Sequence, residues 1–421
     1  MLKRITIPPA FEAIRYRNFR LFLFGQIVSV TGSWMQTVAQ SWLVFRLTHS
    51  SFLLGLVSFV GLFPVFVLSL AGGVAADRYP RRILVIITQS LQMVQAFILA
   101  YLTLRQIITV NEILYLALFS GIVMAFDIPA RQSFMIEMVE ADALPSAIAM
   151  NSSAFNGARI FGPALAGMIL ALTNEGICFL LNAFSFLAVV WALLVMDIKS
   201  RRHTDSRESP LAYLLGGVKY AYSYLPARAL LALEALLSLL GMAYTVLMPV
   251  FADKLLHRGS SGLGILMMSV GSGALLGSIY VGMKKEIRGM GRIVAYACIL
   301  FGVSSALFAY SKNFYLSNLL LMLTGFGMFA QLTTANILLQ TLVPDELRGR
   351  LMSLYSLVVV GLTPFGSLLS GAMAQHWGSP FPVAFSGGFC ALGGFAFWAW
   401  IPRIRAQVRE TLAHPMLPEA P

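Results

Sequence analysis

Four ionisable residues interrupt long apolar stretches of this chain: Asp127, Arg131, Arg159 and Glu234. Charge at membrane depth is costly, so each needs a partner or a use. The chemistry open to them is ion pairing, capture of a charged solute, and uptake and release of a proton. Asp127 and Arg131 are four residues apart, so they share one helix face and can pair. Arg159 lies about midway along the next apolar stretch, placed either to neutralise Asp127 or to bind an anionic group. Glu234 has no local partner, and a lone carboxyl at that depth resists ionising. Asp127 and Glu234 are therefore the candidate proton sites. No nucleophile, metal cluster or acid–base set gathers at either end of these stretches. The histidines (His49, His203, His257, His376 and His414) fall in loops or tails, and Cys178, Cys298 and Cys390 lie in separate apolar runs without a CxxC. The expectation is no catalytic residue, no metal and no cofactor.

The elements that must position these residues are membrane spans. Hydrophobic residues make up 58% of the chain and charged residues 11%, too apolar for a surface facing water alone. Twelve apolar segments of about bilayer length follow one another: 21–45, 52–74, 83–104, 113–137, 146–172, 176–196, 229–252, 260–283, 292–310, 314–340, 350–374 and 381–402. Residues 8–20 read as an interfacial helix and 211–225 as a surface helix. The polar stretch 197–210 separates two halves. The expected organisation is an N-terminal interfacial segment (1–20), a six-helix bundle (21–196), a linker with its surface helix (197–228), a second six-helix bundle (229–402) and a tail (403–421). Of 30 Lys and Arg, five fall in the loops of one side and two, Arg131 and Arg159, deep within spans, leaving 23 for the other side with its span ends and the termini. That asymmetry predicts both termini in the cytoplasm. It also accounts for the net charge of +12 without nucleic acid.

The halves echo each other. A shift of 209 sets Gly32 on Gly241, Gly55 on Gly264 and Gly73 on Gly282. A shift of 204 sets Gly157 on Gly361, Phe161 on Phe365, Gly162 on Gly366 and Gly167 on Gly371. Two repeats of six spans, with a solute site near the midplane, is a recurrent transporter plan. Polar residues draw stripes at helical spacing on the first and fourth spans of each half. These are Gln26, Ser29, Ser33, Gln36 and Gln40; Ser120 and Asp127; Glu234, Ser238, Gly241 and Thr245; and Thr324, Gln331 and Thr334. Such stripes serve either as glue between helices or as the lining of a wet cavity. Trp34, Met35, Trp42 and Met124 could wall that cavity or pack.

The connector GGVAADRYPRR, residues 72–82, joins spans two and three, and its arginines mark it as cytoplasmic. It resembles the loop signature of the major facilitator superfamily, with Gly73, Asp77, Arg78, Arg81 and Arg82 at the matching positions, Ala75 for Leu and Pro80 for Gly. In the second half, GMKKEIRGMGR is a degenerate copy lacking the acid. NSSAFNGARIFGPALAG, residues 151–167, is similar to the superfamily's antiporter motif. Gly162, Pro163 and Gly167 match there, and alanines stand at two glycine positions. Together with DIPARQSF this pattern resembles the drug:proton antiporter branch, which includes bacterial enterobactin exporters and macrolide efflux proteins, over about residues 11–402.

The resemblance implies an all-α integral membrane protein of twelve helices in two pseudo-symmetric bundles. It implies a cytoplasmic gate in which Arg81 pairs with Glu137, a bend at Gly162–Pro163, and a monomer working by alternating access. The expected function is secondary active export of an amphipathic small molecule, drug or siderophore, across the bacterial inner membrane in exchange for protons. The proton gradient is the energy source. The cavity candidates are Gln26, Ser29, Ser33, Gln36, Gln40, Asp127, Arg159, Ser238, Thr245, Gln331 and Thr334. The rivals are a uniporter or lipid flippase on the same fold, a membrane enzyme, and a non-transporting membrane subunit.

Overall fold

Local capping fixes where each apolar segment starts and stops. Ser50 accepts from the Leu53 amide at 3.3 Å and opens one helix; Asn174 does the same for Ile177 at 3.3 Å, and Asn313 for Tyr315 and Leu316 at 2.9 and 3.1 Å. His49 closes a helix in the left-handed conformation, φ 49°. The computed structural model describes residues 9–197, 210–284, 286 and 289–413, and forms helices throughout with no strand among them. The linker residues 198–209, Lys285, Arg288, His203, His414 and the rest of the tail lie outside the described residues.

The helices are α1 (Arg17–Thr48), α2 (Ser51–Arg78), α3 (Arg81–Leu104), α4 (Val110–Phe134), α5 (Leu144–Leu172), α6 (Glu175–Val195), α7 (Pro210–Ser223), α8 (Leu225–Leu240), α9 (Ala243–Val250), α10 (Gly259–Gly282), α11 (Met290–Tyr310), α12 (Phe314–Leu342), α13 (Asp345–Gly361), α14 (Thr363–Trp377) and α15 (Pro380–Ala413). Among the described residues, eleven stretches are long and apolar enough to cross a membrane. With 32 residues, α1 is long enough for a twelfth, and its polar stripe lowers its mean hydropathy.

Two expected spans are not continuous. The seventh runs as α8 and α9, interrupted at Gly241–Met242, and the eleventh as α13 and α14, interrupted at Leu362. At Gly241 a side chain would press on the Leu237 carbonyl at 2.5 Å and the Phe301 ring at 3.2 Å. The N-terminal segment expected as an interfacial helix contains a short 3-10 helix. This helix, Pro9–Arg15, has Ala13 fully buried and donating its amide N–H to Ser146 Oγ at 3.2 Å. It packs on the start of α5, because Phe19, Phe22 and Phe134 build an apolar core at that end.

The chain divides into two compact units, residues 1–206 with 246–271, and 207–245 with 272–421. Within the first, α1 packs on α5 and α6, α2 on α4, and α3 on α4 and α6. Within the second, α11 packs on α12 and α15, and α8 on α13, α14 and α15. The surface helix expected at 211–225 is α7, seated on α13 and α8. The two interiors repeat one packing rule. Gly162 of α5 lies against α1, where an added Cβ would meet Trp34 Cβ at 2.5 Å and Thr31 O at 2.8 Å. Its repeat partner Gly366 of α14 lies against α8, on the carbonyls of Leu239 and Ser238.

Candidate functional site

Asp127 is 3% exposed and saturated with donors. Its Oδ1 accepts from Thr88 Oγ1 at 2.7 Å and Gln89 Nε2 at 2.8 Å, and Oδ2 pairs with Arg131 at 2.9 Å. The counter-ion is thus Arg131, four residues on, and not Arg159. Arg159 instead lies over the rings of Trp34 and Phe155, 5.1 and 5.7 Å from their centroids. Trp34 and Phe155 themselves meet edge to face at 6.1 Å.

The first-span stripe is in part glue between helices. Gln36 spends both ends of its amide inside the unit: it donates to Gln95 Oε1 at 3.2 Å and accepts from Asn182 Nδ2 at 2.7 Å. Gln26 and Ser29 are buried, and Ser33 Oγ donates to the Ser29 carbonyl at 2.9 Å. Met35 is core, at 5% exposure. Trp42 lines a cleft of about 430 Å³ at the far end of the unit, with Arg46 and Glu175. Gln40 remains partly exposed.

The sequence reading passed over the polar row of α3. Thr88, Gln89, Gln92 and Gln95 are all buried and step along one face. Thr88 and Gln89 hold Asp127. Gln92 exchanges bonds with the Ser120 carbonyl and hydroxyl, both at 3.0 Å, and Gln95 reaches Gln36. Polar residues at positions 88, 92 and 95 of an otherwise apolar span were the available signal.

In the second unit, Glu234 is 1% exposed. It accepts one hydrogen bond, from Gln331 Nε2 at 3.0 Å, and makes no ion pair among the described residues. Ser238, one turn on, is buried, as is Thr334 beside Gln331; Thr334 Oγ1 donates to the Ala330 carbonyl at 2.6 Å. Thr324 shares a hydrogen bond with Ser304 at 2.9 Å. Thr245 is partly buried, just past the interruption at Gly241.

At the α2–α3 connection, Arg81 bonds Glu137 at 3.3 Å and the carbonyls of Ala76 and Ser133 at 3.2 Å each, with Asp77 at 3.8 Å. Arg82 donates to the carbonyls of Leu193 and Leu194 at 2.8 and 3.0 Å, pinning α3 to the end of α6. Arg78, the last residue of α2, is exposed. The glycine that carries packing here is Gly72, not Gly73. A Cβ on Gly72 would collide with the Ala125 carbonyl of α4, whereas one on Gly73 meets nothing within 4 Å. Gly72→Val is therefore expected to cost about 1–3 kcal/mol; thermal unfolding in detergent should show Gly73→Val near wild type and Gly72→Val clearly lower. Farther along α5, Gly167 abuts Gly264 of α10, where a Cβ would sit 2.8 Å from the facing Cα. Pro163 is absorbed within an unbroken α5.

At the opposite end of the first unit, Arg46 grips Glu175 through two nitrogens at 2.7 and 3.1 Å. Glu175 is 3% exposed. Arg46→Gln strands that carboxylate and should lower the unfolding temperature, with Arg46→Gln/Glu175→Gln recovering most of the loss.

Solved membrane transporters of the major facilitator type share this arrangement of helices, a likeness of fold. A D-xylose–proton symporter superposes with a TM-score of 0.73 at 13% identity, over 91% of this chain and 97% of that one. A peptide transporter of the POT type with bound sulfate superposes with a TM-score of 0.74 at 13% identity, over 92% and 95%. The chain belongs to the transmembrane secretion effector family of that superfamily, whose model matches residues 9–419. It is 27% identical over 367 residues to a staphyloferrin A transporter of Staphylococcus aureus, covering 85% of this chain and 90% of the relative. It is 25% identical over 369 residues to the multidrug efflux pump Tap of Mycolicibacterium fortuitum, covering 85% and 89%. The protein is thus a multi-pass membrane transporter and not an enzyme.

Proposed function

We propose that this protein exports an amphipathic small molecule of the siderophore or drug class across the bacterial inner membrane by proton antiport. Both termini lie in the cytoplasm, and a monomer alternates access to its solute. The names of the relatives support the solute class, and that of the efflux pump supports the direction of export. The observation that carries proton coupling is Glu234: a carboxyl sealed from solvent, held by one neutral donor, without an ion pair among the described residues. It takes a proton from one side and releases it to the other as Ser238, Gln331 and Thr334 exchange their contacts for solute and water. Asp127 with Arg131 holds α3 and α4 together. Arg159 and Trp34 offer a cation over aromatic rings to an anionic or flat solute, and Gln26, Ser29, Ser33, Gln40 and Thr245 supply polar lining. The cytoplasmic gate is Arg81–Glu137 with Asp77, Arg78, Arg82 and Gly73. Gly162, Pro163 and Gly167 are the positions at which the unbroken α5 bends as access alternates.

Inverted membrane vesicles test the whole reading. Radiolabelled siderophores and lipophilic dyes should accumulate when the lumen is acidified, only in vesicles carrying the protein, and collapse of the pH gradient should stop accumulation. Accumulation that survives the collapse assigns a uniporter or flippase instead.

A further inference from the structure

The ends of α11 and α15 form a cleft unconnected with the site above. Small residues bring these helices together: a Cβ on Gly387 would lie 2.5 Å from Gly302 O, and one on Gly394 would lie 3.0 Å from Ala295 O. Past Gly394 the side chains enlarge and the helices part. They leave a cavity of about 470 Å³ lined by Arg292, Trp398, Ile401, Pro402 and Arg405. Its depth follows from helix length. From Pro380, the roughly 30 Å hydrocarbon core is used up after about 20 residues at 1.5 Å each. That sets Trp398, 49% exposed, at the hydrocarbon boundary, where aromatic belts sit. Arg405 then lies at headgroup depth. Arg292 reaches the same level from the first turn of α11. Neither arginine makes an ion pair among the described residues. The amides that open α11 receive no side-chain cap, because the residue before them is Gly289. Two guanidinium groups line a space with an apolar floor.

We propose that this cleft binds the phosphate headgroup of an anionic phospholipid, with its acyl chain along Trp398 and Ile401. The arginines bridge to phosphate oxygens, and the indole marks the glycerol level. The site does not depend on the transported solute.

Trp398 gives the readout. The full-length protein is reconstituted into phosphatidylcholine vesicles containing graded amounts of brominated phosphatidylglycerol or brominated phosphatidylcholine. The Trp398 contribution is taken as the difference from Trp398→Phe. Half-quenching should come at about thirtyfold lower mole fraction of the anionic lipid, the factor two interfacial arginines supply. Arg292→Gln/Arg405→Gln should erase the preference, and Arg292→Lys/Arg405→Lys should keep it. Equal quenching by the two lipids, or a preference unchanged in the glutamine variant, would overturn the proposal. So would loss of the preference in millimolar inorganic phosphate at matched ionic strength, which would assign the cleft to a free anion.

Discussion

Glu234→Gln should uncouple transport from the proton gradient while leaving the protein folded and able to bind its solute. The expected loss in gradient-driven flux is roughly 5- to 150-fold, the range of a coupling free energy of ~1–3 kcal/mol between two sites. The replacement amide keeps the length of the side chain and an oxygen for Gln331 Nε2, now at 3.0 Å from the carboxylate. Packing at this 1% exposed position therefore changes little. What disappears is a group that can exchange a proton. Solute exchange down its own concentration gradient needs no proton and should persist. Flux at the wild-type rate under an imposed pH gradient would remove Glu234 from the mechanism. Gln331→Ala offers a companion result: with its single donor gone, the carboxyl loses the contact that orients it toward α12, and coupling should weaken without vanishing.

What the sequence made legible divides along the distance over which each contact acts. Asp127–Arg131 is set by the i, i+4 geometry of one helix, so two letters sufficed. The bilayer length of the apolar segments placed most helices to within a few residues. Glu234–Gln331 joins residues 97 apart, and the polar row on α3 was invisible as a network. In lipid, a helix gains little by turning any particular apolar face inward, so composition leaves its rotation about its axis open. The glycine motif shows the same limit. The resemblance singled out Gly73, but the carbonyl of Ala125 comes to rest on Gly72, a fact of interhelical approach that a pattern of letters does not hold. The interruptions at Gly241 and Leu362 likewise arise where α8 and α14 crowd each other, with Gly366 against the Leu239 carbonyl. Pro364, at the start of α14, marked the second break in the sequence, whereas no proline stands beside Gly241.

Asp127→Asn should damage stability rather than coupling. The carboxylate accepts from Thr88, Gln89 and Arg131 at once. Its removal leaves a guanidinium whose side chain is 24% exposed without its counter-ion. Breaking a fully buried pair costs about 3–5 kcal/mol, and the partial exposure of Arg131 brings the expectation down to about 2 kcal/mol. Asp127→Asn/Arg131→Gln removes both charges together. It should regain much of the unfolding temperature, because the surviving amides can still bond to Thr88 and Gln89. Transport per folded molecule should keep its dependence on the pH gradient in both variants, which separates this carboxylate from Glu234. A single variant as stable as wild type but with gradient-driven flux lost would reverse the assignment. Asp127 would then be the proton carrier, and Arg131 the cation that keeps its charged form in place. The two carboxyls are thus distinguished by their surroundings: one is held by a cation and two neutral donors, the other by one neutral donor. Only the second can change its charge without leaving a partner stranded.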